Sequence, residues 1–303
     1  MRKAFASPTE NSCLEMENHL ANPGRIPLCS HTAVPKTEKP SLRDAAYLLK
    51  DEVEAFPAEK ADEALTHLAK GMAKLLDADN VKWLAAVRVY RGVDVKKDPL
   101  LGWRLRASYD LVPESEEYQK SIAWWFQRNN EIEPNFHIGL ATHAMVAGAG
   151  KFRVHRMRDG WIPYAAFRKT EHYRLHYTEL GITDRMWVSL PLNVDTESIF
   201  LFDRQGSKPN FSKRDAAMAA DIVRGLRGFQ KLLFVTRGLH IGEMPLSPTF
   251  RRVLKKLLTG MTEKQIAAEL KQPVATTHKY VRSLYKRFGV NGRAGLMALC
   301  LGA

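Results

Sequence analysis

The residues best suited to chemistry lie together near the end of the chain: Thr276, Thr277, His278, Lys279, Arg282 and Lys286. Lys and Arg side chains can donate to the guanine acceptors of a major groove, and an Arg does so bidentately. Thr276 and Thr277 stand where hydroxyls and helix N-terminal amides would meet a phosphate, and Lys286 stands further along the same backbone path. The charge balance points the same way. Residues 246–303 carry eleven Lys/Arg against Glu263 and Glu269, so +9 of the whole chain's +13. Neutralising phosphates releases counterions, so a polyanion-binding module needs this kind of asymmetry.

Other candidate chemistry is sparse. His172 and His176 are four apart on an expected helix, but Tyr173 stands where a metalloprotease would have its Glu, and a solvated helix face is the plainer reading. Gly150-Lys151 has Met145 and Phe152 at the flanking positions that a phosphate-cradling loop would need as Gly and Ser/Thr. No Ser or Cys sits in a nucleophile elbow. Cys13, His19, Cys29 and His31 fit no zinc spacing, and three distant cysteines argue against a disulfide framework and for a reducing cytoplasm. Neither an enzymatic activity, a cofactor nor a metal is expected. No apolar run reaches the ~18 residues of a membrane span, and no secretory signal is expected after the basic start Met1-Arg2-Lys3.

The elements that must position the basic residues are short and sharply bounded. Ser247-Pro248 opens a helix striped by Val253, Leu254, Leu257 and Leu258, and Gly260 stops it. Thr262-x-x-Gln265 is a capping box for a second helix burying Ile266, Ala267 and Leu270. After Lys271-Gln272-Pro273, a third helix from about Val274 to Phe288 buries Val281, Leu284 and Phe288, and Gly289 ends it. A small apolar helix follows from Arg293 to Leu301. Two helices joined by a tight turn, the second exposing Thr277, His278, Lys279, Arg282 and Lys286, form a helix-turn-helix able to enter a major groove.

This segment resembles the LuxR-type helix-turn-helix domain over about 56 residues. The matching residues are Leu246-Ser247, Val253-Leu254, Gly260-Met261-Thr262, Lys264-Gln265-Ile266-Ala267, Leu270, Thr276-Thr277-His278, Tyr280-Val281, Leu284, Phe288-Gly289-Val290 and Arg293-Ala294. Three positions depart from the pattern. Thr249–Arg252 replace the usual acidic first turn, which should strengthen non-specific DNA affinity. Pro273 replaces a Ser cap, and Tyr280 replaces a His. The resemblance implies a transcriptional regulator that binds double-stranded DNA, with His278, Lys279 and Arg282 at base-reading positions. It also implies a homodimer formed through the last helix, at Ala294, Leu296 and Ala298, on inverted half-sites. RNA polymerase is a further partner of such regulators. An alternative function is a sensor that works through partners and holds DNA only non-specifically.

The rest of the chain reads as follows. Residues 1–40 hold five prolines and little apolar periodicity, and are expected to be a disordered tail. Residues 41–238 are expected to be an α+β sensor domain, 239–245 a linker and 246–303 the all-α DNA-binding domain. Helices are expected at Ser41–Phe56, Glu59–Asp77, Glu114–Gln127, Phe136–Ala149 and Lys169–Leu180, and strands at Val81–Tyr90, Trp103–Tyr109, Phe152–Met157, Met186–Leu192 and Glu197–Phe202. One long helix from Lys213 to about Arg237 follows, capped by Ser212 and Asp215. Its Met218, Ile222, Gly225, Phe229 and Leu232 would suit a two-stranded seam or its own sheet equally. Helices around an antiparallel sheet, with Tyr177, Leu180-Gly181-Ile182, Asp184, Phe202-Asp203-Arg204 and Phe211–Asp215, resemble the end of a GAF- or PAS-like module. Such a module would take a small-molecule ligand. All six tryptophans fall in this region, where they line a pocket or fill a core. The Trp/Tyr/Asp constellation of autoinducer-binding LuxR relatives cannot be placed here, so an acyl-homoserine-lactone ligand is not supported.

Overall fold

The computed structural model describes residues 41–113, 115–116, 119–120, 139–239 and 246–301. The expected tail at 1–40, most of the expected helix Glu114–Gln127 and most of the linker lie outside the described residues.

Period-two alternation along three central strands decides the layout of the larger part. The strands are β1 (Asn80–Arg88), β2 (Trp103–Asp110), β3 (Arg153–Arg156), β4 (Ile182–Asn193) and β5 (Thr196–Gln205), in the antiparallel order β2-β1-β5-β4-β3. Successive side chains point to opposite faces. Trp83, Ala85 and Val87 of β1, Phe200 and Phe202 of β5, and Met186, Val188 and Leu190 of β4 form one buried face. Four helices cover that face: α1 (Leu42–Glu54), α2 (Ala61–Leu76), α6 (Lys213–Gly225) and α7 (Arg227–Arg237). The other face carries Ala86, Trp187, Ile199 and Leu201. Short segments border it: α3 (Leu140–Ala147), α4 (Tyr164–Phe167), α5 (Glu171–Tyr173) and a π-turn at Arg174–Thr178.

Three expectations need correction. The helix expected at Lys169–Leu180 is a single turn followed by the π-turn. The helix expected at Lys213–Arg237 breaks at Leu226, which leaves helical geometry (φ −95°, ψ 31°) between Gly225 and Gly228. Its proposed two-stranded seam is taken up by the chain's own core: Ile222 and Phe229 are buried, and Met218 and Leu232 pack against them. The Ser212–Asp215 capping box does form, and Ser41–Asp44 makes a second one.

The segment read as GAF- or PAS-like closes into a corner. Asp184 accepts the Phe211 N–H at 2.7 Å, and Arg204 lies over the Phe211 ring while donating to Leu76 O and Pro209 O. These residues therefore tie α2, β4 and β5 together, which is structural work.

The C-terminal helices are α8 (Pro248–Leu257), α9 (Glu263–Glu269), α10 (Val274–Phe288) and α11 (Arg293–Leu301). Their core of Val253, Leu254, Leu257, Ile266, Val281, Leu284, Phe288 and Leu296 also takes in Val235 and Leu232 of α7. The two parts are thus joined through a shared apolar cluster.

Candidate DNA interface and ligand cavity

α10 is positioned by its buried stripe. Val281, Leu284 and Phe288 recur at helical spacing and are packed against α8 and α9. The opposite face then has to be exposed, and it carries Lys279, Arg282 and Lys286 at spacings of three and four. Pro273 occupies the N-cap with extended geometry, and no side chain caps the helix, yet α10 begins at Val274 as the sequence suggests. Pro at this position fixes φ near the value the chain requires. Gly289 ends the helix at φ 63° in the left-handed region.

One of the six expected contact residues is misplaced. Thr277 is fully buried, and its hydroxyl accepts from Gln272 Nε2 at 2.7 Å. It braces the turn before α10, so its expected phosphate contact is withdrawn. Thr276 is half-buried beside it. His278 is exposed, but its Nδ1 lies 2.9 Å from Glu263 Oε2 of α9. That pair links the two helices of the motif and orients the imidazole. Tyr280 meets Phe250 of α8 edge-on at 5.0 Å, so two of the departures from the family pattern pack on each other. In α11, Leu296 faces the core, while Ala294 and Met297 are exposed. The expected dimer contact through Leu296 is therefore unavailable.

The second feature is a cavity of about 230 Å³ on the face of the sheet away from α1, α2, α6 and α7. Leu84, Leu105, Met145, Trp103, Trp187 and Ile199 make its apolar walls. Its charged members are paired with acids. Arg153 grips Glu197 bidentately at 2.8 and 2.9 Å, Lys82 lies 3.3 Å from Asp110, and Arg185 is bonded to Asp203. His172 and His176 reach the cavity from α5 and the π-turn, with rings 4.5 Å apart. Burial, helped by His176 and Arg185, pushes His172 down to about 3. Burial, with Arg185 and Lys82, pushes His176 down to about 4. Both imidazoles are neutral at pH 7 and can donate at one nitrogen and accept at the other. Of the tryptophans, Trp103 and Trp187 line the cavity. Trp83 fills the opposite core and donates to Ser198 Oγ at 2.8 Å.

The cavity's polar residues were not singled out from the sequence, apart from the two histidines. Lys82, Arg153, Arg185 and Glu197 sit on strands whose neighbours are only known once the sheet order is known. Among the described residues no helix is long and apolar enough to cross a membrane.

Residues 244–300 match the family described as GerE, bacterial regulatory proteins, luxR family. This part of the chain is thus a luxR-family helix-turn-helix domain. A curated protein, the response regulator Rre1 of Synechocystis sp., is 29% identical over 91 residues, covering 29% of this chain and 39% of that one. The chain spans about two-fifths of that relative's length. Among solved structures, SdiA in complex with octanoyl-rac-glycerol is similar with a TM-score of 0.39 and 15% identity, covering 87% of this chain and 96% of that one. The VqsR LBD domain from Pseudomonas aeruginosa gives a TM-score of 0.38 and 14% identity, covering 63% and 93%.

Proposed function

We propose that this chain is a sequence-specific DNA-binding transcriptional regulator. The observation that carries the reading is the geometry of α10 within a luxR-family domain. One face is locked into the core by Val281, Leu284 and Phe288, and the other presents Lys279, Arg282 and Lys286. Lys279 and Arg282 are the base readers in this account, and His278, held by Glu263, sits beside them. Lys286, with the half-buried Thr276 near the helix start, serves the phosphate backbone. A homodimer through the exposed Ala294 and Met297 of α11 would place two such helices on inverted half-sites about 34–36 Å apart.

The part before the linker is read as a sensor of the GAF or PAS kind. Its support is one antiparallel sheet with helices on one face and a mainly apolar cavity on the other. The cavity suits a largely apolar small molecule with one or two hydrogen-bonding groups, because its cations already have carboxylate partners and its histidines are neutral. Ligand binding would act by favouring one arrangement of the shared α7–α11 core over another.

Selection of bound duplexes from a random-sequence pool by the full chain tests the DNA reading. Enrichment of an inverted pair of half-sites is expected. Retention of DNA with no sequence enrichment would leave only non-specific anchoring.

A further inference from the structure

A second cavity, of about 250 Å³, lies where α7 meets α8. Its walls are unusually cationic. Arg237 comes from α7, Arg251, Arg252 and Lys255 come from α8, and the single carboxylate is Asp62 of α2. Asp62 is shared: it is bonded to Arg237 and lies 2.5 Å from Lys255 Nζ. The neighbouring acids are engaged elsewhere, Glu59 with Lys256 at 3.2 Å and Glu63 with Lys60 at 3.6 Å. Four cations thus face one carboxylate among the described residues.

Arg251 shows the imbalance most directly. Its Nε is buried and makes no hydrogen bond, and the carboxylate whose charge it feels, Asp62, is already held by Arg237 and Lys255. A buried donor left in this state is destabilising, more so on a charged group. Arg237 bears the same stress: burial first, and Arg251 after it, lower its hold on its proton despite Asp62. The first turn of α8 adds to the demand. Pro248 lines the cavity, and Ser247 makes no side-chain cap, so that helix start has no side-chain acceptor.

We propose that this junction binds a phosphate group, held by the guanidiniums of Arg237, Arg251 and Arg252 and by the Lys255 ammonium. Guanidinium forks match phosphate oxygens bidentately, and the guanidinium tolerates partial burial better than an ammonium does. Asp62 then serves to keep Arg237 and Lys255 turned into the site. Because Arg237 belongs to the sheet-bearing part and the other three cations to the DNA-binding part, an occupant bridges the two. The phosphate comes either from a free phosphorylated small molecule or from the DNA backbone.

Calorimetry of the full chain with pyrophosphate, against sodium chloride at matched ionic strength, tests the first source without any DNA. Saturable binding is expected, weakened at least tenfold in Arg251→Gln and only partly restored in Arg251→Lys, which keeps the charge but not the fork. Circular dichroism would verify that the variants fold. The second source is tested by the salt dependence of duplex binding. If DNA supplies the phosphate, Arg251→Gln lowers the slope of log K against log salt by about 0.9 and leaves sequence preference unchanged. The proposal stands if Arg251→Gln changes either measurement as stated. It is overturned if pyrophosphate binding is absent or indifferent to Arg251 and the DNA salt slope is also unchanged.

Discussion

Thr277 illustrates how a residue's type can suggest one role and its surroundings impose another. A threonine at a helix start suggests phosphate, but this one lies on the same side of α10 as Val281 and Leu284 and is fully buried. Replacing it with Val removes the hydroxyl that Gln272 donates to. The expected cost is about 1 kcal/mol of stability, measured by denaturant unfolding, with no change in the salt slope of DNA binding. His172 makes a second prediction at this scale. In the unfolded chain it takes up a proton near the usual 6.5, whereas burial holds it neutral in the folded chain down to about 3. The unfolded state therefore binds more protons in that window, and stability falls as pH drops below about 6.5. Between pH 6.5 and 5 His172 contributes a loss of about 1.6 kcal/mol, because the slope is half-maximal at 6.5 and reaches about 1.4 kcal/mol per pH unit only below it. Unfolding curves at both pH values should show it, and His172→Gln should reduce it. An equal fall in the variant would assign the pH dependence to other groups.

At the scale of elements, capping chemistry made the C-terminal helices legible. Thr262–Gln265 forms the box that its spacing suggests, and Gly289 takes positive φ where it ends α10, whereas α8 ends at the Leu258 cap and Gly260, also at positive φ, lies in the turn beyond it. Capping is local, so four or five residues contain the whole signal. The same holds for Ser212–Asp215. The break at Leu226 was not legible, because the apolar stripe runs through it without changing phase, and the flanking Gly225 and Gly228 were its one local sign. Gly238 gives the sharpest test of an element boundary. It ends α7 at φ 73°, and a Cβ there would lie 2.2 Å from Leu246 Cγ. Leu246 N–H also bonds Arg237 O at 3.2 Å, so the backbone is pinned on both sides. Gly238→Ala combines left-handed strain with overpacking, and about 2–4 kcal/mol of destabilisation is expected from thermal or denaturant unfolding. A neutral result would mean that the α7–α8 junction repacks freely.

At the scale of the molecule, the described residues form one compact unit. Val235 and Leu232 share a core with Leu254, Leu284 and Leu296, and Asp62 and Glu59 reach Lys255 and Lys256 of α8. The sequence shows that α7 and α11 each have an apolar face; it does not show that these faces meet, because periodicity identifies a stripe and not its partner. The same limit hid the cavity, whose cations and carboxylates come from strands far apart in the chain. It also reassigned part of α8: Lys256, read from sequence as surplus positive charge, is committed to Glu59 and Glu269, and Lys255 shares Asp62 with Arg237. What survives the change of scale is α10, whose charged face is defined by its own spacing. Its role is tested most directly by comparing Arg282→Ala with Lys286→Ala on a selected duplex and on a scrambled one, by anisotropy over a salt series. Arg282→Ala is expected to lose about 1–3 kcal/mol of discrimination between the two duplexes. Lys286→Ala should weaken both alike and reduce the salt slope by about one phosphate. Unchanged discrimination in Arg282→Ala would contradict the assignment of α10 as the element that reads sequence.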